Sequence, residues 1–248
     1  MQGHLQDPMC IVLRGSSSPL LHKKDFLDPK NKKYKPKAME QNKNVSYNST
    51  NSYLTIGNLN PNTQNIWLIF HGFGQTAAQL IPFFEERKED YLIFLQAPSK
   101  FYFQNFSKIG SSWLTQMDLE EEKKNILAYV SAVVTNENLI HFSCPINWFG
   151  FSQGVSVLFR SLSFLELPYQ KIVVWAGQIP KEISKETFKG ISTESSEVFL
   201  VYGDKDPLID KDKKQEQILK AKDLFSSYKE ISFEGEHQLD FTTLQRFR

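Results

Sequence analysis

The feature that most constrains the fold of this 248-residue chain is a series of mostly apolar runs of strand length, at residues 66–70, 91–95, 146–149, 171–175 and 198–202. Continuous apolar character, without alternation, is typical of strands that are buried on both faces of a sheet. Segments of helical length separate most of these runs, and strands that alternate with helices favour a parallel sheet. We therefore predict an α/β fold, with a mostly parallel central sheet and helices on both of its faces.

The first 44 residues differ from the rest of the chain in composition. They contain nine basic and four acidic residues, whereas the remaining residues carry a small acidic excess. No helical or strand period is visible in this segment, and a chain that cannot bury apolar surface stays disordered. We predict a disordered basic leader at residues 1–44 and one α/β domain at residues 45–248. Met39 is an alternative start of the chain.

The charge and the cysteine content limit the partners and the compartment that we expect. The net charge is only +1, so we predict no nucleic-acid partner, and we favour a solvated leader over one that touches a membrane or a nucleic acid. No apolar run approaches the roughly 18 residues that a transmembrane segment needs. The first ten residues lack the pattern of a signal peptide, and Cys10 and Cys144 suggest no disulfide framework. We expect a cytoplasmic monomer or homodimer.

A candidate nucleophile follows the third of the apolar runs. Residues 150–154 read Gly-Phe-Ser-Gln-Gly, which matches the pattern G-x-S-x-G between a predicted strand and a predicted helix. A serine at the apex of such a sharp turn is strained, and side chains two residues before and after it would collide, which explains both glycines. We therefore predict Ser152 as a nucleophile with an exposed Oγ at the positive end of a helix.

A glycine-containing turn after the first run provides a candidate oxyanion hole. Residues 71–75 read His-Gly-Phe-Gly-Gln. The negative charge that develops on the oxygen of a tetrahedral intermediate needs preorganised N–H donors. We predict that these donors are the backbone N–H groups of Phe73 and of Gln153, the residue after the nucleophile. We interpret His71 as structural, because it precedes the serine.

The acid and the base of a triad are expected to follow the serine, in that order. Asp206 lies after the run at residues 198–202, where a parallel sheet places its active site, although Asp204 and Asp210 are rivals. His237 is the one histidine after these aspartates. In the predicted mechanism, His237 takes the proton of Ser152 as the serine attacks an ester or thioester carbonyl, and Asp206 orients the imidazole.

Together these motifs resemble the phospholipase/carboxylesterase family of α/β-hydrolases, which includes the acyl-protein thioesterases. The matching segments are residues 71–75, 95–98, 112–113, 150–154, 176–180, 203–208 and 235–237. The resemblance implies hydrolysis of a carboxylic ester or thioester and an apolar acyl-binding groove. It also implies that Asp206 is the acid, since the acid of the family directly precedes a proline. The chain departs from the family at Val155, where another glycine is usual, and at Phe73 and Gln75.

The substrate is less constrained than the chemistry. The segment between residues 99 and 113 is rich in polar and aromatic residues, and we predict that it is a loop. We also predict that Trp113 and Phe103 line a substrate pocket, with a place in the core as the alternative. A peptide or lactone substrate, or a non-catalytic binding module on the same fold, are the other hypotheses. No phosphate-binding loop, zinc-binding helix or metal-ligand spacing is present in the sequence, so we predict no cofactor and no metal.

Overall fold

The computed structural model describes residues 41–142 and 144–247. The chain divides into two units, at residues 1–48 and 49–248. The described part of the first unit, residues 41–48, is exposed and has no regular secondary structure. The predicted basic leader lies almost entirely outside the described residues, as does Met39, so the division at residue 45 stays a prediction.

The second unit alternates strands and helices as the apolar runs predict. The strands are β1 (Tyr53–Ile56), β2 (Asn65–Phe70), β3 (Asp90–Leu95), β4 (Ser99–Phe103), β5 (Lys108–Ser112), β6 (Ile146–Phe151), β7 (Pro168–Trp175), β8 (Ile191–Gly203) and β9 (Lys229–Phe233). The α-helices are α1 (Leu119–Asn136), α2 (Gln153–Leu165), α3 (Lys211–Leu224) and α4 (Phe241–Leu244), and short 3-10 helices lie at Ala77–Phe83, Leu139–His141 and Gln245–Phe247. None of the helices in the described part of the chain is long and apolar enough to cross a membrane.

Seven strands of the described residues form one sheet, in the order β1-β3-β2-β6-β7-β8-β9. Strand β1 pairs antiparallel with β3, and every other pairing in this sheet is parallel. After β2, the chain adds β3 on one side of it and then β6 to β9 on the other side, so the order of addition switches beside β2. The carboxyl ends of β2, β6, β8 and β9 lie at the same edge. This edge is where an open parallel sheet places a ligand site.

Each face of the sheet has its own hydrophobic core. Trp148 packs on the face that is covered by α1, α2 and α3, whereas its neighbour Phe149 packs on the other face. That second face is covered by shorter elements, which contribute Leu80 from a 3-10 helix and Leu244 from α4. The predicted α/β-hydrolase fold, with a mostly parallel sheet between two helical layers, is confirmed.

One sequence interpretation of the fold is wrong. The segment between residues 99 and 113, which we treated as a loop, forms an antiparallel hairpin of β4 and β5. The three consecutive aromatic residues of β4 conceal the alternation that identifies a strand, and β5 is mostly small and polar. In the hairpin, Phe101 lies opposite Gly110 and Tyr102 lies opposite Ile109, and the local sequence does not reveal this pairing.

Candidate active site

Ser152 lies at the turn between β6 and α2, in a strained backbone conformation with φ 53° and ψ −119°. The glycines on either side are required by close approach. A Cβ on Gly150 would lie 2.8 Å from the backbone of Val155, and one on Gly154 would lie 2.3 Å from the carbonyl oxygen of Phe70. The turn therefore holds the serine at the N-terminus of α2, where the helix dipole favours negative charge.

His237 connects Ser152 to Asp206 through two hydrogen bonds. Its Nε2 lies 2.8 Å from Oγ of Ser152, and its Nδ1 lies 2.8 Å from Oδ2 of Asp206. With the ring proton on Nδ1, the imidazole donates to the carboxylate and accepts from the serine hydroxyl. The ring of Phe151 packs against the imidazole, with 5.2 Å between the centroids, and this contact supports the orientation of the histidine.

The carboxylate of Asp206 has no exposed surface and is held from both sides. Its Oδ1 accepts hydrogen bonds from the backbone N–H groups of Leu208, at 2.8 Å, and Ile209, at 3.2 Å. The rival aspartates have other contacts: Asp204 accepts from the backbone N–H of Gly235, and Asp210 caps α3 by accepting from Lys213. Of the three aspartates, Asp206 is the one that contacts His237.

The turn at residues 71–75 lies beside the serine. A Cβ on Gly72 would lie 3.1 Å from Cβ of Ser152, and the backbone N–H of Gly72 donates to Oε1 of Gln75 across the turn. Among the described residues, no acceptor pairs with the backbone N–H groups of Phe73 and Gln153. Both predicted oxyanion donors therefore belong to backbone adjacent to Ser152, and their role stays a prediction.

Ser111, which the sequence reasoning did not identify, fastens this turn to β5. The backbone N–H of Gly74 donates to the carbonyl oxygen of Ser111, and both the N–H and the hydroxyl of Ser111 donate to the carbonyl oxygen of Gln75. The amide of Gln96, at the end of β3, donates to Oγ of Ser111 at 2.7 Å. The sequence offers one signal for this contact, because Gln96 is a polar residue directly after a buried apolar run.

We expect Ser111→Ala to lower kcat for a short-chain ester about tenfold with little change in KM, because the turn that carries Phe73 loses its side-chain tether. The variant removes one of the two acceptors of the buried Gln96 amide, which keeps its hydrogen bond to the carbonyl oxygen of Ala97. The loss costs about 1 kcal/mol of stability. Steady-state kinetics and urea unfolding measure the two effects. The matched control is Ser161→Ala, since Ser161 is buried in α2 and its hydroxyl has no partner among the described residues. Equal kcat values for the two variants would argue against this tether.

The side chain of Gln153 makes a second connection to the hairpin. Its Oε1 accepts from the backbone N–H of Trp113 at 2.9 Å, and its Nε2 donates to the carbonyl oxygen of Leu114 at 2.7 Å. The residue after the serine therefore supplies a backbone donor next to the site and a side chain that holds the segment following β5. The sequence pattern indicated the first of these functions only.

His71 is fully buried at the base of the turn. Its Nε2 accepts from the backbone N–H of Ala97, and its Nδ1 lies 2.7 Å from the carbonyl oxygen of Gly72. Burial lowers the pKa of His71 to about 4, and the hydrogen bond to the Gly72 carbonyl offsets part of this effect. The imidazole is therefore neutral at pH 7 and links the turn to the end of β3.

This lowered pKa predicts a loss of stability in acid. A histidine whose pKa is lower in the folded state binds its proton more readily in the unfolded state. The free energy of unfolding is therefore highest above the unfolded pKa of 6.5 and decreases as the pH falls toward about 4. We expect the His71 contribution to the free energy of unfolding to decrease by about 2 kcal/mol between pH 7 and pH 5. Urea unfolding of the wild type and of His71→Gln at both pH values tests this. If the variant loses as much stability as the wild type, His71 is not the group responsible.

The predicted pocket residues lie in different places. Trp113 was expected to line a pocket, but its side chain is fully buried between Phe70 and His71, and its Nε1 donates to the carbonyl oxygen of His71. It therefore presents no surface to a ligand and belongs to the core. Phe103 is half-buried on β4, where its ring packs against Phe101. A pocket role for Phe103 stays a prediction.

The structure also accounts for Val155, where the family usually has a glycine. Val155 is fully buried, and a Cβ on Gly177, just after β7, would lie 2.3 Å from Cγ2 of Val155. The missing side chain at Gly177 therefore leaves the space that the valine fills. Helix α2 therefore packs closely against the sheet although Val155 is larger than glycine, because Gly177 faces it.

The candidate site brings together a serine hydroxyl, an imidazole and a carboxylate. Within residues 41–142 and 144–247, no three His, Cys, Asp or Glu side chains are grouped so that they could hold a metal ion. The absence of a cofactor stays a prediction from the sequence.

A family model described as phospholipase/carboxylesterase matches residues 51–248, which include Ser152, Asp206 and His237. No curated protein sequence matches the chain. The family match therefore covers most of the chain and extends over every strand of the sheet.

Several solved structures share the fold. A phospholipase/carboxylesterase from Dyadobacter fermentans is 22% identical, with a TM-score of 0.57, and the match covers 82% of this chain and 97% of that chain. Acyl-protein thioesterase 2 from Zea mays is 15% identical, with a TM-score of 0.59 and coverage of 80% and 96%. A carboxylesterase from Bacillus cereus is 14% identical, with a TM-score of 0.59 and coverage of 79% and 90%. At these identities the likeness shows the fold.

Proposed function

Because this chain belongs to the phospholipase/carboxylesterase family of α/β-hydrolases, we propose that it hydrolyses carboxylic ester or thioester bonds through an acyl-enzyme on Ser152. The observation that best supports this proposal is the continuous hydrogen-bonded series from Ser152 through His237 to Asp206, with both distances 2.8 Å. This geometry is what a general base needs in order to activate a serine hydroxyl.

In the first half of the reaction, Oγ of Ser152 attacks the carbonyl carbon of the substrate as its proton passes to Nε2 of His237. The resulting imidazolium is stabilised by Asp206, whose two backbone hydrogen bonds keep the carboxylate in place. The backbone N–H groups of Phe73 and Gln153 stabilise the oxyanion. Collapse of the tetrahedral intermediate breaks the C–O or C–S bond, and the leaving alcohol or thiol takes the proton from Nε2.

In the second half, water replaces the leaving group. His237 removes a proton from the water as the water oxygen attacks the acyl carbon, and a second tetrahedral intermediate forms. This intermediate collapses to a carboxylic acid, and Oγ of Ser152 recovers its proton from Nε2. The substrate is a small-molecule ester or thioester, and the cytoplasmic location and the monomeric or dimeric state stay predictions from the sequence.

Covalent labelling with a fluorophosphonate, read by intact mass, tests the proposal most directly. We expect the wild type to gain the mass of one probe, whereas Ser152→Ala and His237→Ala gain none, since the probe needs an activated serine. A folded wild type that stays unlabelled would instead favour a non-catalytic binding module. A panel of esters, thioesters, lactones and peptides then identifies the substrate class.

A further inference from the structure

Trp175, the last residue of β7, makes hydrogen bonds to two segments of the candidate active site. Its carbonyl oxygen accepts from the backbone N–H of Ser152 at 2.8 Å. Its indole Nε1 donates to the carbonyl oxygen of Gln238, the residue directly after His237, also at 2.8 Å. One residue of the sheet is therefore bonded to the segment of the proposed nucleophile and to the segment of the proposed base.

The indole of Trp175 is held in a fixed place by the sheet and by neighbouring rings. The side chain is fully buried, and β7 is an inner strand that pairs with both β6 and β8. Its ring lies 5.4 Å from the ring of Phe233, 6.0 Å from that of Phe149 and 6.3 Å, edge-on, from that of Phe247. A donor that is packed in this way keeps its direction, so it can fix the position of the group that it binds.

The backbone on the two sides of His237 is attached differently. Before the histidine, the backbone N–H of Gly235 donates to Oδ1 of Asp204 at 2.9 Å. After it, Gln238 is an exposed residue, so packing of its side chain fixes little. Within the described part of the chain, the hydrogen bond from Trp175 is the one that joins the backbone directly after His237 to the sheet. Loss of this bond should therefore release one side of the base while the other side stays attached.

The distance between Ser152 and His237 depends on both attachments. The two residues are 85 positions apart in sequence, and Nε2 of the histidine lies 2.8 Å from Oγ of the serine. Proton transfer between them requires that these two atoms stay within hydrogen-bond distance. A displacement of about 1 Å at a reacting group can lower the rate by about 10²-fold. Because Trp175 is bonded to both segments, its position affects this distance directly.

We propose that the indole N–H of Trp175 is a positioning group, which holds the loop of His237 so that Nε2 stays aligned with Oγ of Ser152. Trp175 is buried and touches no substrate, so it acts through the histidine. The inference rests on the proposed hydrolase function and adds to it a residue outside the triad and the predicted oxyanion hole.

The test is Trp175→Phe, which removes the indole N–H and keeps an aromatic ring. We expect kcat for a short-chain ester to fall about tenfold with less than a twofold change in KM, since alignment and not substrate binding is altered. The rate of fluorophosphonate labelling should fall by a similar factor. The matched control is Trp67→Phe, because Trp67 is buried in the same core and its Nε1 has no partner among the described residues. Its kcat should stay within twofold of the wild type.

A second measurement does not depend on activity. Backbone ¹⁵N relaxation of residues 236–239 should give order parameters near 0.85 in the wild type and in Trp67→Phe, which is typical of a rigid backbone. In Trp175→Phe we expect values below about 0.6, which is typical of a flexible segment. A general loss of stability would not confine this change to the loop of His237. If Trp175→Phe does not fold, benzothienylalanine at position 175 replaces it, because this residue has the size of tryptophan without the N–H.

Two outcomes would overturn the inference. One is a kcat of Trp175→Phe that equals that of Trp67→Phe, and the other is a loop of His237 that is as rigid in Trp175→Phe as in the wild type. A wild type that neither hydrolyses esters nor takes the fluorophosphonate contradicts the proposed function instead. The relaxation measurement then still decides whether Trp175 holds the loop, so the two failures are distinguishable.

Discussion

Replacement of Ser152 with alanine is expected to lower kcat for a short-chain carboxylic ester by about 10⁴–10⁶-fold, down to the rate that the remaining site supports. In the proposed mechanism, the variant keeps His237, Asp206 and the two backbone N–H donors but has no nucleophile, so no acyl-enzyme can form. The fold should be preserved, because the hydroxyl of Ser152 makes its hydrogen bond to His237 rather than to the core. Steady-state kinetics and thermal unfolding measure the two effects.

The matched control for this variant is Ser156→Ala, one turn further along α2, which should retain wild-type kcat. Residual activity of Ser152→Ala within tenfold of the wild type would exclude Ser152 as the nucleophile. Loss of folding in the variant would leave the covalent labelling of the wild type as the deciding measurement, because the mass of a labelled peptide identifies the serine without a substitution.

Asp206→Asn is expected to lower kcat by about 10³–10⁴-fold with a smaller effect on KM. The carboxylate accepts the Nδ1 proton of His237, and a carboxamide in its place can donate to Nδ1. The imidazole would then carry its proton on Nε2, where it cannot accept the proton of Ser152. The backbone hydrogen bonds from Leu208 and Ile209 can still be accepted by the amide oxygen, so the loop should keep its shape.

Asp204→Asn is the control that separates this mechanism from a general effect of charge on the same loop. Asp204 lies two residues away and accepts from the backbone N–H of Gly235, a bond that an asparagine oxygen can also accept. We expect its kcat to change less than about threefold, since it does not touch His237. If Asp204→Asn and Asp206→Asn reduce kcat equally, the assignment of the acid to Asp206 is wrong.

The sequence alone predicted the features that depend on local order. Apolar runs without alternation identify buried parallel strands wherever they occur, and β2, β3, β6, β7 and β8 all include the predicted runs. The turn at Ser152 was equally readable, because a strained apex between a strand and a helix needs glycines at fixed spacing. The order of Ser152, Asp206 and His237 along the chain likewise comes from the order of the strands that carry them.

The tertiary structure decided whatever depends on contacts between distant segments. The residues alone left Asp204, Asp206 and Asp210 as rivals, and only the family resemblance favoured Asp206. In the structure, the hydrogen bond of Asp206 to His237, 31 residues further on, distinguishes it. Trp113 was expected to lie in a pocket but lies in the core, because its environment is set by β2 rather than by its aromatic neighbours in sequence. The hairpin and the tether through Ser111 depend on strand pairing and on hydrogen bonds across 36 residues or more. At these positions, burial and the choice of hydrogen-bond partner are set by three-dimensional packing, and the local pattern of residue types does not encode them.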